Sequence, residues 1–410
     1  MRPFASTISL DEARRRLNAA VRPIARTEQI GITDAAGRVA AADVASSIDV
    51  PPFARSAMDG YAVVSADTTH ATPATPARLR LIDRIYTGQP SRVTVVPGAC
   101  AEIATGAPLP AGADAVVMVE ETATDGEQIH IRAATAPGRN VGRRGADIMT
   151  GDLVVREGEA LTPSRIGALA AIGQTEVTVY AKPRVAILST GNEVVDPGRR
   201  LQAGQVYDVN RFTLGAIVEA HGGAPRAHKA AEDTLESLAE ALDVCLESDL
   251  IVFSGGSSVG TRDLVVDLVA ARGEMIFHGI AVKPGKPTAF ALVSTSGKSG
   301  QSGQTPFFGM PGNPTSCLSN AYILLIPFLR ATARLPPHTP RTVRVPLGRR
   351  IASATGRHQF YTVRLENGAA FPAFKGSGDI TSLSQADGYI EIPSDQSVVE
   401  EGTLVDVTLF

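Results

Sequence analysis

Four glycine-rich stretches hold most of the side chains suited to chemistry. They are Ser189-Thr190-Gly191-Asn192-Glu193, Ser254-Gly255-Gly256-Ser257-Ser258-Val259-Gly260-Thr261-Arg262-Asp263, Lys283-Pro284-Gly285-Lys286-Pro287 and Met310-Pro311-Gly312-Asn313-Pro314-Thr315-Ser316. Each follows a run that reads as a strand. Loops after the strands of an open parallel sheet project beyond its carboxyl edge, where ligands bind. Exposed N–H groups at glycine turns and helix starts suit anions, and Lys283 and Lys286, on a proline-stiffened turn, add fixed positive charge. The chemistry implied is capture of a phosphorylated ligand. Glu193 and Asp263 offer hard oxygen donors for a divalent cation between phosphate oxygens; the same carboxylates also suit the first turn of a helix.

Other stretches are less telling alone. Gly256-Ser257-Ser258-Val259-Gly260 fits G-x-S-x-G between a strand and a helix, as a nucleophile elbow would. The loop runs on through Thr261-Arg262, too open for a sharp elbow, and no histidine context marks a base; His358 merely follows in chain order. Pro51-Pro52-Phe53-Ala54-Arg55-Ser56-Ala57-Met58-Asp59-Gly60-Tyr61-Ala62 is an exposed turn with one carboxylate. Thr105-Gly106-Ala107-Pro108 and Gly145-Ala146-Asp147-Ile148 read as structural turns.

The elements that must position these loops alternate. Arg184–Ser189 predicts a buried strand, 211–221 a helix, and 234–247 an amphipathic helix with Leu235, Leu238, Leu242 and Leu246 at three- and four-residue steps. Strands over 250–253 and 275–282 and helices over 263–271 and 315–329 complete the alternation. It argues for a parallel sheet covered on both faces. Ahead of it, Ser9 and Glu12 form a capping box opening a helix to about Val21, and an Ala-rich run over 30–43 reads as a second helix start. Short strand-like runs over 78–85, 115–120 and 128–132 suggest a small β-rich domain, inserted because helical sequence resumes at 162–172. Ser296–Gln304 reads as a hairpin tip, Leu335–Pro340 as a boundary, and 342–346, 359–365, 388–392 and 403–409 as strands of a small terminal β domain.

Composition narrows the class. The 410 residues carry 39 basic and 42 acidic side chains, a net charge of −3, which argues against coating nucleic acid or an anionic membrane. Aromatics are 5% with no Trp, too few for a base-stacking surface. Cys100, Cys245 and Cys317 are scattered, so neither a disulfide framework nor a thiolate zinc site is indicated. With no apolar leader and no membrane-length run, the expectation is a cytoplasmic multidomain α/β protein.

At these residues the chain resembles, almost end to end, the molybdopterin molybdotransferase family, the bacterial molybdenum insertase related to the E domain of gephyrin. The resemblance runs in order through Pro51–Ala62, Thr105–Pro108, Gly142–Ile148, the four loops, and Ser377–Ser382 before Ala386-Asp387-Gly388. It implies a discontinuous domain I (1–48 and 143–180), an inserted β-rich domain II (49–142), a three-layer α/β molybdopterin-binding domain III (181–334) and a β-barrel-like domain IV (335–410). It implies a homodimer whose cleft joins domain III of one subunit to domain II of the other. The implied reaction inserts molybdate into adenylylated molybdopterin, releasing AMP, with magnesium as cation.

By the resemblance, Lys283, Lys286 and Ser316 hold molybdate or phosphate with Ser377 nearby. Gly255, Gly256, Ser257, Pro311 and Pro314 shape the pterin-phosphate pocket, and Asp263 and Glu193 position the cation. Asp59, Thr105 and Asp147 complete the cleft, and Asp233 matches a further acidic position. Partners implied are a molybdopterin adenylyltransferase and apo-molybdoenzymes. A stand-alone adenylyltransferase would not need Pro51–Ala62; intact Asp59, Asp263, Lys283 and Lys286 favour catalysis over a non-catalytic scaffold. Departures from the family pattern are Glu232-Asp233, Gly279 and the 296–304 insertion.

Overall fold

The computed structural model describes residues 7–255, 264–295, 303–353 and 355–410. The chain divides into two compact units, one of Met1–Glu28, Gly37–Val39 and Tyr180–Phe410, the other of Gln29–Ala36 and Ala40–Val179.

In the first unit, continuous apolar runs build a six-stranded sheet in the order Ala224–Ala227, Arg184–Ser189, Leu250–Ser254, Gly303–Met310, Ala289–Thr295, Gly273–His278. The first four are parallel; Ala289–Thr295 runs against them, and Gly273–His278, antiparallel to Ala289–Thr295, returns to their direction. The expected all-parallel sheet is therefore mixed, because the short link from Ala289–Thr295 to Gly303–Met310 can join only antiparallel neighbours. Side chains alternate between faces. Val185, Ile187, Val252 and Phe308 enter one core with helix Asn210–Ala220, while Ala186, Leu188, Phe253 and Phe307 enter another with helices Leu235–Cys245 and Leu264–Arg272. Burial on both faces explains why these strands read as unbroken hydrophobic runs.

Helix boundaries follow local chemistry. Ser9 Oγ accepts the Glu12 N–H at 3.1 Å and opens Leu10–Ala20. The return half of the expected capping box is replaced, since the Glu12 carboxylate engages Arg15 and Arg16. Leu238 and Leu242 are buried, but Leu235, next to the Thr234 cap, stays exposed. The helix expected over 315–329 comes in three pieces, Pro314–Asn320, a π turn Ala321–Leu325, and Ile326–Thr332. Pro327 removes an N–H there, and widening the preceding turn absorbs the loss.

A second sheet in this unit centres on His358–Glu366, with Gly388–Ile392, Leu404–Leu409 and Thr342–Pro346 beyond it and Ala369–Pro372 alongside. The strand expected over 275–282 ends at His278, and Val282–Lys283 instead joins the second sheet parallel to His358–Glu366.

The other unit is built on a six-stranded sheet, Ala115–Met118, Gly60–Val63, Ala99–Ile103, Ala77–Ile85, Gln128–Ile131, Thr122–Asp125. Tyr61 and Val63 face one core and Ala62 the other. Val44–Ala45 pairs with Leu153–Val155, and Thr162 caps helix Pro163–Ala171. The 30–43 run forms no helix; it contains the 3-10 turn Ile32–Asp34 and a bridge from Ala40 to Val179. Gly37 at φ +72° breaks any helical continuation. The fold is multidomain α/β, with the three-layer domain, the β-rich insertion, the discontinuous N-terminal part and the C-terminal β domain.

Candidate functional site

Three of the four loops meet where the parallel strands end. Thr190 N–H donates to the Ser254 carbonyl at 2.9 Å, and Gly255 N–H to the Met310 carbonyl at 3.1 Å. Gly255 sits at φ +95°, with the Thr190 carbonyl where a Cβ would stand, so the loops approach closely only because that side chain is absent. Together they line a cavity of about 1030 Å³ that includes Glu193, Asp233, Gly255, Pro311, Pro314 and Ser316.

The floor of this cavity is polar and buried. Asp208, 4% exposed, accepts from Ser189 Oγ at 2.8 Å and from the Arg211 N–H at 3.1 Å. Arg211 Nε lies 3.3 Å from its other oxygen, and the guanidinium also pairs with Asp196. Asn210 Nδ2 donates to the Gly312 carbonyl at 2.7 Å. This network pins helix Asn210–Ala220 beneath the Pro311–Pro314 turn. On the wall, the Asp233 carboxyl is held above the usual carboxylate range by desolvation and then by the charge of Glu193. Two acidic groups thus share a rim that favours positive charge.

The lysine loop forms a second, adjoining cavity of about 420 Å³, lined by Lys283, Lys286, Ser316, Arg357 and Ser377 among others. Pro287, Asn313 and Ser316 line both cavities. Lys283 is set by strand pairing opposite Gln359. The Ser377 carbonyl accepts the Thr315 N–H at 3.0 Å and the Ser316 N–H at 3.4 Å, while Ser377 Oγ accepts from Asn313 Nδ2 at 3.1 Å. The C-terminal β part therefore supplies one wall, and Lys283, Lys286 and Arg357 bring three cationic side chains to one cavity.

In the other unit, the turns that looked structural converge. Arg55–Ser56 pairs with Val141–Gly142, Gly106 N–H donates to the Ser56 carbonyl at 2.8 Å, and Asp147 N–H to the Val50 carbonyl at 3.0 Å. Asp59 accepts from Thr105 N–H at 2.7 Å and from Thr105 Oγ1 at 2.9 Å. These bonds hold the Asp59 carboxyl below its usual range, backbone bond first. Asp59, Thr105 and Asp147 are all exposed.

The structure thus brings Glu193, Asp233, Gly255, Pro311, Pro314 and Ser316 to one cavity, and Lys283, Lys286, Ser316 and Ser377 to the next. Asp59, Thr105 and Asp147 belong to the other unit. Gly256, Ser257 and Asp263, with the rest of the G-x-S-x-G loop and positions 296–302 of the insertion, lie outside the described residues. His358, the residue nearest to a serine base in order, instead has Nε2 2.6 Å from Glu391. Sequence reasoning missed Arg357, Asp208 and Asn210. Asp208-Val209-Asn210, just before a helix, carries a capping signal that could have been used; Arg357 stands in a turn with no periodicity to reveal it.

Comparison with known proteins agrees along the whole chain. Residues 8–173 match the MoeA N-terminal region (domain I and II), 186–331 a probable molybdopterin binding domain, and 344–410 the MoeA C-terminal region (domain IV). Molybdopterin molybdenumtransferase 2 of Mycobacterium tuberculosis is 35% identical over 399 residues, covering 95% of each chain. Molybdopterin molybdenumtransferase of Haemophilus influenzae is 31% identical over 412 residues, covering 98% of each. A molybdopterin biosynthesis MoeA protein of Pyrococcus horikoshii superimposes with a TM-score of 0.83 at 38% identity, over 98% of this chain and 99% of that one. With relatives matched from end to end and the loops they imply gathered at two adjoining cavities, the chain belongs to the MoeA family of molybdopterin molybdenumtransferases.

Proposed function

We propose that this chain transfers molybdenum to molybdopterin, inserting molybdate into adenylylated molybdopterin and releasing AMP. One observation carries the reading: a smaller cavity lined by the cationic Lys283, Lys286 and Arg357 opens beside a larger one and shares Pro287, Asn313 and Ser316 with it. The larger cavity suits the pterin and its phosphates, and the smaller one a molybdate dianion. In the reaction the two dithiolene thiols replace one oxide ligand of molybdate, their two protons leaving with that oxide as water, and hydrolysis of the phosphoanhydride by one water yields AMP. Sulfur comes from the pterin, so the enzyme needs no cysteine ligands of its own, in keeping with three buried cysteines.

The protein's part is electrostatic. The lysines and Arg357 neutralise the oxyanion, and the Ser316 and Ser377 hydroxyls orient it. Glu193 and Asp233 share a rim where their mutual repulsion favours a cation, and with Asp263 they would hold a magnesium ion, which when bound neutralises phosphate charge. Among the described residues no group of three or more His, Cys, Asp or Glu side chains is placed to hold a metal, so substrate phosphates would complete the coordination. Asp59, Thr105 and Asp147 would face the cavity of a second subunit in a cytoplasmic homodimer, whose partners are an adenylyltransferase and apo-molybdoenzymes. The four-domain division at 48, 142, 180 and 334 belongs to the same proposal.

The test is cofactor formation from purified protein, adenylylated molybdopterin, molybdate and magnesium, following AMP together with activation of an apo-molybdoenzyme. Molybdate-dependent AMP release with activation supports the proposal. Pterin binding without molybdate-dependent turnover would make the chain a scaffold, and adenylyl transfer from supplied ATP to molybdopterin, with pyrophosphate released, would make it an adenylyltransferase.

A further inference from the structure

Lys283 and Lys286 lie on one short loop, and charged side chains bind an oxyanion well only if their backbone holds still. The sheet pairing at Lys283 fixes one end. The bond from Ile280 N–H to the Lys286 carbonyl, at 2.9 Å, closes the other. Between them Gly285 sits at φ +103°, pressed so closely on Asn320 that a Cβ would collide with the Asn320 amide. Asn320 is fully buried. Its Nδ2 donates to the Gly285 carbonyl at 2.8 Å and lies 2.5 Å from Thr288 Oγ1. Thr288 Oγ1 donates to the same Gly285 carbonyl at 2.9 Å.

Asn320 closes the helix Pro314–Asn320, which carries Ser316 near its start. One rigid segment thus presents Ser316 to the oxyanion pocket and Asn320 to the back of the lysine loop. The Asn320 Oδ1 is buried without a hydrogen-bond partner. Burying an unpaired amide oxygen is costly, so an apolar residue would serve better were packing the only need. We propose that Asn320 is the positioning residue of the lysine loop, setting the spacing of Lys283 and Lys286 relative to Ser316 and so the affinity for molybdate. The proposal rests on the oxyanion-pocket reading above.

Asn320→Leu and Asn320→Asp keep the shape of the side chain and remove the donor. Molybdate binding to the full-length protein is measured by calorimetry, and KM for molybdate, KM for adenylylated molybdopterin and kcat by AMP release. The expected result is a rise of about tenfold in Kd and KM for molybdate, as for loss of a hydrogen bond that organises charged ligands, with pterin KM and saturated kcat within about twofold. A general structural defect would degrade all three together, and that outcome, or unchanged molybdate affinity in a folded variant, overturns the proposal. If the Asn320 variants lose their melting transition, Thr288→Val removes the second donor to Gly285 and is expected to shift molybdate affinity in the same direction; no shift overturns the proposal. Wild-type protein that binds no molybdate would remove the functional reading as well, whereas intact wild-type binding with unaffected variants removes the role of Asn320 alone.

Discussion

At the scale of single residues, charge placement decides most outcomes. Lys283 contributes a cation to the small cavity, and Lys283→Ala is expected to raise the KM for molybdate about 10- to 100-fold, corresponding to about 1.5–3 kcal/mol for a charged hydrogen bond. Steady-state AMP release at varied molybdate checks this; unchanged KM would remove Lys283 from the site. Asp208 behaves differently because it is buried and held by Ser189 Oγ and the Arg211 N–H. Asp208→Ala leaves Arg211, among the described residues, with only Asp196 as ionic partner and is expected to lower stability by about 2–4 kcal/mol in urea unfolding, since half of a buried pair is left behind. His221 gives a pH effect of definite sign. Burial lowers its pKa to about 4, with smaller contributions from His338 and Arg330. The unfolded chain therefore takes up that proton first, so stability present at neutral pH is lost as pH falls from about 6.5 toward 4. His221→Gln should flatten that part of the melting-temperature profile, and an unchanged slope between those pH values would contradict the assignment.

Elements were legible in the sequence to the degree that their causes were local. Arg184–Ser189 and Leu250–Ser254 declared themselves by unbroken apolar runs, the first helix by the Ser9 hydroxyl at its start, and Pro163–Ala171 by a proline suited to a first turn. Elements whose cause lies elsewhere in the chain were not legible. Val282–Lys283 reads as the tail of the preceding strand, but its partner is His358–Gln359 in another sheet, a pairing that no window along the sequence contains. The 30–43 run fails as a helix because alanine content alone does not overcome Gly31 and Gly37. Likewise the π turn at Ala321–Leu325 comes from Pro327 within an otherwise helical pattern. Caps are the simplest check at this scale. Ser9→Ala should cost about 1 kcal/mol by removing the acceptor for the Glu12 N–H; chemical denaturation showing no change would mean the first turn holds without it.

Across the whole molecule, Asp59, Thr105 and Asp147 lie in one unit and the described residues of the four loops in the other. A role for them toward one another is implied only by the resemblance, because spacing along the chain says nothing about a second copy. Sedimentation of the full-length protein is expected to give a dimer, and Asp59→Asn mixed with Lys283→Ala should regain part of the activity each lacks, through mixed dimers pairing an intact half-site from each. No recovery after subunit exchange would mean that both contributions come from one chain.

The strand made by Val282 and Lys283 bears on how far this architecture can be divided. The α/β part has one core and its loops to itself, though its other core takes in Leu10, Leu17, Phe360, Leu383 and Tyr389 from outside it. Yet the oxyanion pocket is hung from the sheet that follows it, and Ser377 is tied to Thr315 and Ser316 at the other side. A shortened chain ending near residue 334 would keep the larger cavity's loops while losing Arg357, Ser377 and the rail on which Lys283 rests. On the proposed assignment such a fragment would lack most of the place for the metal oxyanion, and also Gly378 and Ile380 of the larger cavity, so the proposed transfer step would have to be inherited or transplanted with the last β domain attached.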